Sequence, residues 1–396
     1  MSAASEAPSL QAIAEGARAA GRLALDTEFM GEGRYRTLLC LVQLAIPEDS
    51  GLAERIMIVD PLAEGLDGAP LAAVLADPAI QIVVHAGRQD VALMRRRLGT
   101  EVRNVFDTQV AAGFAGLGAQ ASYDSLLAEI LGLRVAKSAS FTRWDARPLS
   151  PEQLAYARED VVHLLELSGE LERRLTALHR LEWAREECEP LERSSDERDL
   201  ETIFARLPRI SSLSASARPV ARELVQWREQ TAERQNRPVQ SVLSDAALME
   251  VAKRAPSSGG QLEKIRGVGG GNGRGRRAEE LLAAVRRGRE RPPEPAPERA
   301  RQPPSRPDDA PLVALSEALL RARAREADVA YELLAARADL QAIVAAARTG
   351  GAEADVRTLR GWRRELVGEE LLALLDGRVS LSVLDRQLRI LRPSDG

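Results

Sequence analysis

At 396 residues the chain has room for two or three domains, and 44% hydrophobic residues suffice for ordinary cores. A formal net charge of -4 gives no overall basicity that would announce nucleic acid, although a local patch on an acidic chain can still bind phosphates. Two cysteines, Cys40 and Cys188, supply neither a disulfide framework nor a zinc ligand set, and three histidines leave little for imidazole chemistry. The first ten residues lack the basic and apolar regions of a signal peptide, and no run of about 18 apolar residues exists to span a membrane. A reducing, cytoplasmic location is expected.

Ser9 is placed to cap a helix over residues 10–20. The apolar run Leu23-Ala24-Leu25 leads into Asp26-Thr27-Glu28-Phe29. In a strand, residues i and i+2 share a face, so Asp26 and Glu28 stand side by side, about 7 Å apart along the backbone. Residues 38–46 and 55–61 read as two more buried strands, together an antiparallel meander. A helical turn at 71–75, a strand at 80–85, a helix at 88–98 and a short strand at 105–106 follow. With helices at 107–114 and 123–131, the order predicts a mixed α/β layer architecture.

Residues 134–149 read as a loop carrying Lys137, Phe141, Arg143, Trp144 and Arg147, cations interleaved with rings that suit phosphates and an unpaired base. Ser150-Pro151-Glu152-Gln153 is a helix start with a capping box, and one long helix is expected to residue 175 or beyond. Tyr156 and Asp160 lie four apart on it and share a face. Asp90 opens the 88–98 helix. Four acids, Asp26, Glu28, Asp90 and Asp160, could thus meet at one edge of the domain. Carboxylates holding two Mg²⁺ or Mn²⁺ ions make a phosphoryl-transfer site, with Tyr156 orienting the attacking water.

These stretches resemble the ribonuclease D family of DEDD exonucleases, in the subclass with tyrosine in its third motif. Asp26-Thr27-Glu28-Phe29 is similar to the first motif, His85-Ala86-Gly87-Arg88-Gln89-Asp90 to the second and Tyr156-Ala157-Arg158-Glu159-Asp160 to the third. Asp107-Thr108-Gln109 and Trp144-Asp145-Ala146-Arg147-Pro148-Leu149 are also typical. The resemblance implies an RNase H-like mixed-sheet exonuclease fold, two divalent ions held by Asp26, Glu28, Asp90 and Asp160, and Tyr156 at the water. It implies 3′→5′ release of 5′-mononucleotides from RNA, chiefly tRNA precursors and other structured, 3′-extended RNAs. His85 and Asp90 have the spacing of the histidine subclass, but they follow a strand far upstream of the last helix, so His85 is read as structural. Phe29, Lys137, Arg143, Trp144 and Arg147 are the candidate substrate contacts, with core roles open for Phe29 and Trp144.

Beyond the exonuclease domain, taken as 1–193, residues 212–290 are helical and resemble an HRDC domain through Arg237-Pro238-Val239-Gln240-Ser241-Val242-Leu243-Ser244-Asp245. The glycine run at 267–273 is not a P-loop, since no G-K-[ST] follows, so no nucleotide cofactor is expected. Residues 291–311 are a proline-rich linker, and 312–392 look like a second, divergent HRDC-type helical module marked by Gly361-Trp362-Arg363. The expected fold is therefore α/β followed by two all-α modules. A DNA 3′→5′ exonuclease of repair is the alternative, because only 2′-hydroxyl contacts separate the substrates. A decayed, non-catalytic RNA-binding protein would show a lost ligand, and all five groups are present.

Overall fold

The computed structural model describes residues 9–47, 55–134, 143–268, 275–296, 306–350 and 352–392. The chain forms two compact units. One comprises Met1–Glu28, Cys40–Ser195 and Arg301–Gly396, the other Phe29–Leu39 and Asp196–Ala300. Lys137, Phe141 and most of the glycine run lie outside the described residues.

The first unit is built on five strands, β1 (Arg22–Met30), β2 (Leu38–Ala45), β3 (Ile56–Val59), β4 (Gln81–Val84) and β5 (Val105–Asp107), in the order β3-β2-β1-β4-β5. β1 pairs parallel with β4, aligning Ala24 with Val83, and β4 pairs parallel with β5, aligning Val84 with Asp107. β3 runs antiparallel to β2. Parallel pairing needs crossovers, and α2 (Ala69–Leu75) and α3 (Arg88–Leu98) supply them after α1 (Leu10–Ala20). The carboxyl ends of three parallel strands consequently open on one edge, where α/β proteins place their sites. α4 (Thr108–Phe114) and α5 (Tyr123–Leu126) follow, the latter running into a π-helical turn over Leu127–Leu131.

The long helix predicted from residue 151 is two helices, α6 (Pro151–Val162) and α7 (Leu164–Ala177). His163, at φ -109° and ψ 4°, leaves the helical region and breaks it. α8 (Leu181–Cys188) completes this part. Ala24, Ala45 and Val83 of the sheet pack against Val161 of α6 and Leu164 of α7.

The second unit holds α9 (Leu200–Arg206), α10 (Ala217–Gln235), α11 (Val239–Val242), α12 (Asp245–Arg254), α13 (Gly259–Glu263) and α14 (Gly275–Glu290) around Leu224, Trp227, Leu248 and Leu281. α10 and α14 pack so closely at Gly288 that a Cβ there would lie 2.4 Å from the Val220 Cα. This is the expected helical 212–290 region.

The C-terminal segment comprises α15 (Asp309–Glu326), α16 (Tyr331–Leu334), α17 (Arg337–Thr349), α18 (Gly361–Arg363) and α19 (Glu369–Leu375). Expected as a module of its own, it shares one hydrophobic core with α4, α7 and α8. Trp362 stacks on Trp183 of α8 at 5.2 Å and meets Phe114 of α4 edge-on at 5.0 Å. The Ala330 amide donates to the Gly113 carbonyl at 2.9 Å. Gly361-Trp362-Arg363 thus marks a packing contact: Arg363 is buried, donates to the Leu333 carbonyl at 2.6 Å and pairs with Glu187.

Helix was expected through residue 391, yet β6 (Ser380–Leu384) and β7 (Gln387–Leu391) form an antiparallel hairpin. Its turn is Asp385-Arg386 at φ 52° and 63°, the left-handed pair a tight hairpin requires. Alternation puts Leu381 opposite Ile390, both packed on the core.

Trp362→Ala is expected to cost about 3–5 kcal/mol of stability. Because its partners sit on α4 and α8, urea unfolding followed through the nuclease part should shift as well. A shift confined to residues 306–392 would show that the core is not shared.

Candidate functional site

The site grows from β1. Leu23, Ala24 and Leu25 bury the strand, and the period of two then sets Asp26 and Glu28 on one face, each half-buried. Thr27, between them, is buried and points the other way; its hydroxyl donates to Asp90 Oδ1. Asp90 reaches this position because the turn from β4 into α3 is locked. Ala86 takes φ 52°, and a Cβ on Gly87 would sit 2.4 Å from the Val84 Cβ. The Asp107 carboxylate accepts the Ala86 and Gly87 amides at 3.0 and 2.9 Å, and caps α4 through the Gln109 amide at 2.8 Å.

α6 brings the remaining two groups. Ser150 and Gln153 close the expected capping box at 3.2 and 3.0 Å. Ala157 and Val161 bury the inner face, while Tyr156 and Asp160 are half-buried one turn apart. Trp144 is only 4% exposed and lies 6.0 Å from the Tyr156 ring. It anchors its loop in the core beneath that tyrosine.

These side chains act on one another electrostatically. Burial raises the Asp26 carboxyl well above its ordinary range, and the charges of Asp90, Asp160 and Glu28 raise it further. Glu28 is pushed up to about 8 by burial, then by Asp160 and Asp90. Burial lifts Asp160 to about 7, helped by Asp124 and Glu159. Asp90 rises to about 6, again by burial, held back by the Thr27 hydroxyl. The Tyr156 phenol is raised by burial and by Asp160, Glu28 and Asp26, so it stays protonated. The charges of Asp90, Asp160 and Glu28 thus act on Asp26, and those of Asp160, Glu28 and Asp26 on Tyr156. Among the described residues no three His, Cys, Asp or Glu side chains are placed to hold a metal ion together. Like-charged carboxylates stand off from one another, and Asp90 Oδ1 is engaged by Thr27. Four carboxylates are hard oxygen donors of the kind that suit Mg²⁺ or Mn²⁺.

The candidate substrate contacts divide. Phe29 is 39% exposed, and Arg143 is exposed with its Nε 3.0 Å from Asp145. Arg147 has a different task. Its Nε and Nη2 grip Asp60 at 2.6 and 2.7 Å, Nη2 also donates to the Cys40 carbonyl, and Nη1 to the Trp144 and Ala146 carbonyls. A guanidinium has five N–H donors, and all five are used inside the chain. Lys137 lies outside the described residues. His85 makes its contacts inside the chain: Nδ1 lies 2.9 Å from the Thr108 hydroxyl, and the ring packs 5.7 Å from Tyr123.

Sequence reasoning gave no role to Thr27 or Asp107, although both lie in the stretches that carry the resemblance, and did not single out Tyr123 or Asp124 as site residues. Asp124 raises both Asp160 and Tyr156, and the Tyr123 phenol is raised by burial and by Asp160 and Asp26. Besides those stretches, position was the signal: Thr27 between two acids, Asp107 at a strand end before a helix.

Residues 3–176 match a family model described as 3′-5′ exonuclease, and residues 217–285 match the HRDC domain. The chain is 39% identical to a ribonuclease D of Granulibacter bethesdensis over 93% of this chain and 90% of that one. It is 39% identical to one of Gluconacetobacter diazotrophicus over 94% and 92%. The crystal structure of Escherichia coli RNase D, described as an exoribonuclease involved in structured RNA processing, superposes with a TM-score of 0.76 at 28% identity, covering 93% of this chain and 96% of that one.

With chelator present, the folded acids hold protons to higher pH than unfolded carboxyls, which titrate near about 4. Stability should therefore fall as pH rises from there through the folded values near 6, 7 and 8. Thermal melts in EDTA should give a lower Tm at pH 8 than at pH 5, and Asp160→Asn should raise the pH 8 value. An unchanged Tm in the variant would argue against repulsion at the site.

Proposed function

Since the chain belongs to the ribonuclease D family and is a 3′→5′ exoribonuclease, we propose that Asp26, Glu28, Asp90 and Asp160 hold two divalent ions, Mg²⁺ or Mn²⁺, at which RNA is cut one 5′-mononucleotide at a time. What carries this reading is the mutual influence of four acids drawn from β1, α3 and α6. Bound there, such ions supply a nucleophilic water and charge stabilisation at the leaving 3′-oxygen.

The chain's own residues supply the frame. β1 fixes Asp26 and Glu28 two residues apart on one face. The turn held by Asp107 presents Asp90, and Thr27 orients its carboxylate through one hydroxyl. Tyr156, kept protonated by its acidic neighbours and backed by Trp144, offers a hydroxyl that orients the attacking water without acting as a base. Raised carboxyls favour binding of positive charge, so the same repulsion that costs stability strengthens ion binding.

The substrates proposed are tRNA precursors and other structured RNAs with 3′ extensions. Support comes from family membership and from the likeness to the Escherichia coli enzyme. The cytoplasm fits a chain whose two cysteines are free and buried. No helix among the described residues is long and apolar enough to cross a membrane. Zinc and a nucleotide cofactor have no part in this reading. Phe29 and Arg143 are the described side chains proposed to meet RNA, and the helical 212–290 region is proposed to help hold structured substrates.

Asp26→Asn or Asp160→Asn should lower kcat on a 3′-extended RNA by about 10³-fold or more, and EDTA should abolish cleavage. Tyr156→Phe should lower kcat by about 10²-fold while leaving Mg²⁺ affinity, read by calorimetry, near that of the wild type. Full activity of Asp26→Asn would sink the ligand assignment.

A further inference from the structure

β1 leaves Glu28 through Phe29 and Met30 into a loop, residues 31–37, that returns as β2. This stretch, Phe29–Leu39, clusters with the helical unit rather than with the sheet it connects. The reason is a clamp on Tyr35. Its hydroxyl donates to Glu229 Oε2 of α10 at 3.1 Å. Its amide donates to Oδ1 of Asn236, the left-handed C-cap of α10, at 3.3 Å. Arg198 forks onto both Glu229 oxygens at 2.6 and 3.0 Å, and its guanidinium lies 5.4 Å from the centre of the Tyr35 ring. Next along the loop, Arg36 pairs with Glu233 at 3.1 Å.

Glu229 is only 3% exposed. A buried carboxylate is costly unless its oxygens are filled, and here Arg198 supplies the charge while Tyr35 supplies the remaining hydrogen bond. The helical unit therefore has its own energetic reason to keep Tyr35. The loop is short, so holding Tyr35 restrains the strand end from which Asp26 and Glu28 project.

We propose that Tyr35 and Glu229 are positioning residues for the nuclease reaction: by clamping the loop that follows Glu28, the helical unit fixes the strand end that aims Asp26 and Glu28. This rests on the reading of those two acids as ion ligands. It gives the HRDC-type unit a part in the chemistry that is separate from holding RNA.

The test uses the full chain. Tyr35→Phe keeps the ring beneath Arg198 and removes only the hydroxyl; Glu229→Gln keeps the shape and removes the charge. Hydrogen exchange at the amides of residues 29–39 should quicken by about tenfold in Tyr35→Phe, without a matching change elsewhere. Calorimetric titration with Mg²⁺ should show a several-fold weaker affinity in both variants, and no RNA is needed for that readout. Unchanged exchange in the loop, or a loosened loop with wild-type Mg²⁺ affinity, would overturn the proposal. Asp26→Asn serves as the reference. If it abolishes Mg²⁺ binding while Tyr35→Phe binds normally, only the clamp fails; if it binds normally, the ligand reading fails instead.

Discussion

Four carboxylates gathered in one half-buried patch repel one another, and every element around them has to resist that force. Asp26 and Glu28 are rigid because β1 is flanked by β2 and β4. Asp90 is rigid because Asp107 ties down the turn before α3. Asp160 is rigid because α6 begins at a closed capping box and is packed through Ala157 and Val161.

The same constraint explains where the nearby arginine went. A cation aimed into the carboxylates would neutralise them and compete with any divalent ion held there. Arg147 instead braces the loop, joining Asp60 after β3 to the Cys40 carbonyl of β2 and to its own turn. The largest influences on Asp26, Glu28 and Asp160 beyond burial are other acids.

Much of this was legible in the chain. The period of two at Asp26 and Glu28, the four-residue step from Tyr156 to Asp160, and the Ser150–Gln153 box are local patterns, and local patterns survive into structure unless packing overrides them. What could not be read depended on residues distant in sequence. Arg147 looked like a phosphate contact because Asp60, its partner, lies 87 positions away. Gly361-Trp362-Arg363 looked like a module signature because nothing local announces Trp183 and Phe114 as its partners. The hairpin at the C-terminus is the exception: the alternation Leu381, Val383 and the Asp385-Arg386 turn were visible, but the helical context upstream obscured them.

That distant packing bears on the site itself. Trp362 stacks on Trp183 of α8. At the other end of α8, Cys188 Sγ accepts the Asp107 amide at 3.3 Å. Asp107 in turn holds Ala86 and Gly87, and these present Asp90. Each step is a packed or hydrogen-bonded contact within one unit, so the C-terminal helices are part of the scaffold that sets an acid in place. Burial pushes the Cys188 thiol up further, so it is a neutral acceptor at this joint.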